Sequence, residues 1–180
     1  MKKSMIRLMP IGGQAENGKS MYCLEINDNW FIIDAGYRFP EVDKLGVDVI
    51  IPNFEYLKDN KDKIKAIFIT HGHDDVMGAL PYLLQEINVP IYTTDLTADL
   101  IDQLLQRYMR HPHVSYKYKI KRVNMNATIK VAGVEVDFFP ITHSIPGSVG
   151  LAFLTDDGYI VYSSEFIIDF GAPERFRCNI

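Results

Sequence analysis

The 180-residue chain has 19 basic and 23 acidic side chains, a formal charge of -4, and is 47% hydrophobic, which excludes intrinsic disorder and any grip on nucleic acid by bulk positive charge. Its two cysteines, Cys23 and Cys178, form no disulfide framework and no thiolate metal site, so a bound metal has to be held by His and carboxylate. No apolar run approaches the roughly 20 residues of a membrane span, and Met1-Lys2-Lys3 is not followed by a secretory apolar stretch, so a soluble, cytoplasmic protein is expected.

Met5 to Pro10, Met21 to Asn27 and Trp30 to Asp34 are apolar at strand length. A glycine-bearing loop separates the first two, and Asp28-Asn29 breaks the second from the third. Phe54 to Lys63 reads as a short charged helix, and Ala66 to Thr70 as a buried strand running into His71-Gly72-His73-Asp74-Asp75. A helix is expected from about Gly78, because Leu80, Leu83, Leu84 and Ile87 recur at helical spacing and Pro81 is tolerated only in a first turn. Val89 to Thr93 gives another strand, followed by a helix capped by Thr94 or Asp95, with Leu96, Leu100, Ile101, Leu104, Leu105 and Tyr108 turned inward. Beyond His111 come the strand candidates Tyr116 to Val123, Ala127 to Val131, Val134 to Phe139, Val149 to Leu154 and Tyr159 to Ser163, the last two joined by the hairpin signal Asp156-Asp157-Gly158. The mixture points to an α/β or α+β sandwich.

The strongest chemical signal is His71-x-His73-x-Asp75, placed between a buried strand and a helix, where a loop can aim both imidazoles at one point. A polar loop with hydrogen-bonding histidines is the competing reading. Asp34 at one strand end, suited to orienting a ligand, and His143 after another add to the metal reading. Other features read more plainly. His111-Pro112-His113 is open to reading as a second metal pair but fits better as an exposed loop after a helix, and Lys117, Lys119 and Lys121, on one strand face, are placed either to touch phosphates or, the better reading, to protect an edge strand. Gly12-Gly13 with Gly18-Lys19 lacks the spacing of a phosphate loop and is better read as a brace for the metal loop.

With Glu165 after Tyr159 to Tyr162, the ordered set from Asp34 to Glu165 resembles the metallo-β-lactamase superfamily. Within it, Gly12 to Ser20, Asp34-Ala35-Gly36, Ile69 to His73, Gly78 to Leu84 and Thr142 to Pro146 are similar to ribonuclease J, nearest the less active paralogue of bacteria that carry two. The resemblance implies an αββα sandwich, of which this chain would be the N-terminal half to two thirds, without the β-CASP and C-terminal domains. It implies zinc at His71, His73 and His143, catalytic and metal-binding carboxylates at Asp75 and Glu165, and Asp34 behind them.

Two departures stand out. The family carries a further His directly after the Asp, where this chain has Val76, and its Thr-Gly-Asp-Phe-Lys stretch is matched by Ser163-Ser164-Glu165-Phe166-Ile167. The expectation is therefore one zinc at most and weak or absent turnover. The implied role is in RNA processing and decay, acting on RNA together with an active paralogue or as a homo-oligomer. A one-zinc hydrolase of a small ester or thioester is the alternative, and a metal-free binding module is a third. A front part of such a sandwich is also expected to leave an uncovered apolar patch along 66 to 70, 134 to 139 and 149 to 154.

Overall fold

The computed structural model describes residues 3–42, 44–111, 116–169, 171 and 173. His113 and Cys178, read above from the sequence, lie outside the described residues. Six strands form the first sheet in the order β1 (Ile6–Gly12), β2 (Met21–Ile26), β3 (Asn29–Ile33), β4 (Ile64–Phe68), β5 (Ile91–Thr93) and β6 (Ile120–Arg122). β1, β2 and β3 pair antiparallel, and β3 to β6 run parallel. The β2–β3 hairpin turns on Asn27 and Asp28, both at positive φ, as a two-residue turn matching strand twist requires.

Helices fill the crossovers between parallel strands: α1 (Glu55–Asp59) before β4, α2 (Asp74–Met77) and α3 (Leu80–Glu86) before β5, and α4 (Asp95–Tyr108) before β6. The expected helix at 54–63 is split into α1 and a 3-10 turn at Lys61–Lys63, and the single turn α2, which takes in Asp74 and Asp75 at the end of the metal loop, is absent from the sequence reading. On α4, Thr97, Ala98, Ile101 and Leu105 are buried, whereas Leu96 is exposed, contrary to its inward assignment. Of the expected strand over 116 to 123 only β6 forms. It is an edge strand, with Lys121 Nζ 2.7 Å from the Tyr92 hydroxyl.

The second sheet is antiparallel in the order β10 (Gly158–Tyr162), β9 (Val149–Thr155), β8 (Val134–Pro140) and β7 (Thr128–Val131). Strand alternation divides the apolar residues between two cores. Met21, Cys23, Trp30, Ile32, Ile67 and Ile69 face the helices, while Leu24, Ile26, Phe31, Ile33, Ala66 and Phe68 face the second sheet, meeting Val136, Phe138, Leu151 and Phe153. Ile64 keeps to the helix side although Ala66 and Phe68 do not, because the β3–β4 register shifts between Trp30 and Phe31. Glu25, buried on the helix side, is satisfied by Arg7 at 2.6 Å.

The core between the sheets is closed, which corrects the expectation of a patch along 66 to 70. Exposed apolar residues lie on the outer face of the second sheet, at Leu154, Tyr159 and Val161, along Phe166, Ile167 and Ile168, on β1 at Ile6 and Leu8, and after β3 at Phe39, Val42 and Leu45. Among the described residues no helix covers the outer face of the second sheet, so the layers run helix, sheet, sheet. No helix among the described residues is long and apolar enough to cross a membrane.

Candidate metal centre

β3, β4, β8 and β10 deliver Asp34, His71, His143 and Glu165 from their C-terminal ends to one end of the sandwich, where parallel sheets habitually bind ligands. His71 is fully buried, and His73 and His143 are half-buried. One ring nitrogen from each of the three imidazoles lies within 4.8 Å of the others, and His143 Nε2 is 3.1 Å from His73 Nδ1. Two nitrogens bound tetrahedrally to one zinc at about 2.0 to 2.1 Å lie roughly 3.3 Å apart, so this pair already has the spacing of shared ligands. His71 Nε2 is buried with no hydrogen-bond partner, a lone pair aimed into the cluster that an ion would satisfy. The three residues fit one zinc.

Behind His71 lies a hydrogen-bonded chain. Thr70 Oγ1 is 3.1 Å from His71 Nδ1, and its own proton goes to the Asp34 carboxylate at 3.1 Å. Asp34 also accepts from the Thr70 amide at 2.9 Å and from the Tyr162 hydroxyl at 2.9 Å. When Asp34 is ionised and takes the Thr70 hydrogen, Thr70 Oγ1 accepts from His71 Nδ1–H, which leaves Nε2 as the free lone pair. Asp34 thus sits behind the cluster and reaches it through Thr70. Burial is the main cause raising its carboxyl to about 7, against the lowering effect of its three donors. Burial first, then repulsion from His143 and His73, lowers His71 to about 3, and His143 is lowered by burial and then by His73. Uncharged imidazoles are the form that binds metal.

Ser164 joins this chain, its hydroxyl 2.8 Å from Thr70 Oγ1 and 3.5 Å from His71 Nδ1. It does so at φ 56, a left-handed conformation that favours glycine, at the position where the resembling family has Gly. Thr70, Tyr162 and Ser164 were not singled out in the sequence. The available signal was position: Thr70 and Ser164 are next to ligand candidates, and Tyr162 is the last residue of the strand that leads to Glu165.

Asp75 and Glu165 are outside the group of three. They lie near it, since burial and then the Asp75 charge raise the Glu165 carboxyl, and Asp75 opposes the lowering of His143. Val76 packs into the helix-side core at 1% exposure. The glycine loop and the turn after β3 brace the end of the metal loop where it enters α2: from the first, the Ser20 amide donates to the Asp75 carbonyl at 3.0 Å, and from the second the Tyr37 amide donates to Asp74 at 3.1 Å and the Ala35 amide to Val76 at 2.6 Å. Gly36 permits this approach, because a Cβ there would fall inside the Asp75 carbonyl.

Residues 16–162 match the model of the metallo-beta-lactamase superfamily. The chain is 42% identical over 168 residues to Ribonuclease J 2 of Staphylococcus saprophyticus and 40% identical to Ribonuclease J 2 of Staphylococcus aureus. In each case 93% of this chain is covered, and it spans 29% of the length of those relatives. Among solved structures, a protein of unknown function from Enterococcus faecalis superposes with a TM-score of 0.67 at 19% identity, over 93% of this chain and 44% of that one. The metallo-beta-lactamase fold protein YhfI from Bacillus subtilis does so at 0.61 and 16%, over 91% of this chain and 63% of its own.

Proposed function

The chain belongs to the metallo-beta-lactamase superfamily, and from that premise we propose that it is the site-bearing part of a ribonuclease J-like phosphodiesterase of RNA processing and decay, with a centre reduced to a single zinc. The asymmetry of the centre carries this reading. Three imidazoles meet on one side, while on the other Asp75 and Glu165 stand, among the described residues, without a further imidazole, position 76 being a buried valine. Three histidines leave a fourth zinc position open to water or substrate. Zinc there would act as a Lewis acid toward a phosphodiester and activate water for its hydrolysis.

The chain's own residues prepare that chemistry. Thr70 and Asp34 fix the ring of His71, and the loop of residues 141–148, held by the Thr94 hydroxyl on the Gly147 carbonyl at 2.6 Å, presents His143. Loss of the second ion removes stabilisation of the attacking or leaving oxygen, which can be worth several kcal/mol, and turnover is expected to be weak. RNA is the substrate class, the cytoplasm the compartment, and pairing with an active paralogue or a second copy the mode of action. The chain would supply the first part of the catalytic domain, with β-CASP and C-terminal domains outside it; the open outer face of the second sheet supports this.

Zinc analysis of Val76→His combined with Glu165→Asp tests the reading. The double substitution is expected to raise zinc from one to two ions per chain and cleavage of single-stranded RNA at least about tenfold. Unchanged stoichiometry would contradict the assignment of those two positions to a lost second site.

A further inference from the structure

On the His73 side of the imidazole cluster, a groove of about 510 Å³ separates the glycine loop from the segment that follows β3, with Asn17, Tyr37, Phe39, His73 and Asp75 in its walls. Phe39 is 67% exposed, so a whole aromatic ring faces water beside the candidate centre. Its position is set from several directions. The Tyr37 ring meets it edge-on at 5.3 Å, and Tyr37 is itself fixed by its amide on Asp74 and by packing over Gly78. Arg38 pairs with Ile50 through two backbone hydrogen bonds of 2.9 and 2.8 Å, and Pro40 restricts the chain on the other side.

Charge narrows what this platform can receive. Asp74 and Asp75 line the groove, and its one lining cation, Arg38, is paired with Glu16 at 3.3 Å and Glu41 at 3.9 Å. A phosphate is therefore disfavoured against these walls, whereas an uncharged planar ring suits an exposed aromatic face. Bases splayed from a single strand are bound in this way, by stacking that tolerates any sequence.

We propose that Phe39 is a stacking platform for one nucleobase of a single-stranded RNA whose adjoining phosphodiester lies at the imidazole cluster. The proposal rests on the ribonuclease reading and adds to it where the strand runs and why single strands are preferred to duplex, whose bases are already stacked. A rigid aromatic loses little conformational freedom on binding, so its contribution is not spent on ordering.

Fluorescence anisotropy with a labelled ten-nucleotide single-stranded oligoadenylate tests this on the chain as it stands. Phe39→Ala is expected to weaken binding about tenfold or more, within the range of a lost base–aromatic stack. Zinc content and melting temperature should not change, since the ring is exposed. Phe39→Trp is expected to bind within about threefold of the parent and to lose emission as oligonucleotide is added; Trp30, fully buried, does not report on the groove. A duplex of the same length should not compete. Phe39→Ala binding as tightly as a parent that does bind, or a Phe39→Trp emission indifferent to RNA, would overturn the platform and leave the ribonuclease reading intact. No binding of oligoadenylate by the parent would overturn both.

Discussion

Asp34 shows how one side chain can set the state of an imidazole it does not touch. Its carboxyl is fully buried at the end of β3, at φ 60, and holds Thr70 through both amide and hydroxyl. Because its folded pKa is raised to about 7 from 3.8, the folded chain binds a proton that the unfolded chain has released between those values. Stability from this group therefore falls as pH rises from about 4 to 7, the reverse of a salt-bridged aspartate. His71, lowered to about 3, acts in the opposite direction over an overlapping window. The comparison that isolates Asp34 is with Asp34→Asn. The parent's advantage in unfolding free energy is expected to shrink by roughly 3 kcal/mol between pH 4.5 and 7, as measured by urea denaturation across that range. A difference independent of pH would show that the carboxyl is ionised throughout. The sequence made Asp34, His71 and His143 legible because each follows an apolar strand, and His73 through its spacing from His71. It did not reveal Thr70, Tyr162 or Ser164, whose parts depend on the two sheets bringing positions 70, 162 and 164 together, a pairing that no local pattern encodes.

At the scale of elements, the centre depends on the packing of three short segments: the glycine loop, the turn after β3, and the metal loop with the single helical turn α2 that closes it. Each lends the others backbone hydrogen bonds, and Gly36 is where they come closest. Gly36→Ala is expected to destabilise the chain by about 3 kcal/mol, at the upper end of overpacking costs, and to lower the melting temperature by roughly 6 to 12 °C. Zinc affinity should fall with it, because the loop bearing His73 and Asp75 has to move. A melting temperature within about a degree of the parent would show that the segments are independent. The strands and α4 were readable from apolar spacing. The single turn of α2 and the split of 54–63 were not, since one turn carries no period and Asn60 ends α1 where charge alone does not. Leu96 was assigned inward by the same spacing that placed Ile101 and Leu105 correctly; it lies in the first turn of α4, where the helix leaves the sheet.

For the whole molecule, two cores stacked in three layers account for the burial of β3 and β4 on both faces and for the site at one end of the sandwich. The outer face of the second sheet is the exception, with Leu154, Tyr159 and Val161 open beside Phe166, Ile167 and Ile168. The sequence suggested an uncovered face along 66 to 70, 134 to 139 and 149 to 154, of which only the last contributes, through Leu154, because alternation along β8 and β9 does not say which side meets the first sheet. The centre does not depend on that face. His71, His73 and His143 come from elements whose inner faces are packed, so a zinc site can form in the chain as it stands. Elemental analysis of the purified chain, with His71→Ala and the less buried His143→Ala beside it, tests this most directly. The expected result is one zinc per parent chain, lost in both variants while their circular dichroism stays that of the parent. A parent without zinc, a parent with two ions, or variants that keep their zinc would contradict a single-ion centre built on these three histidines.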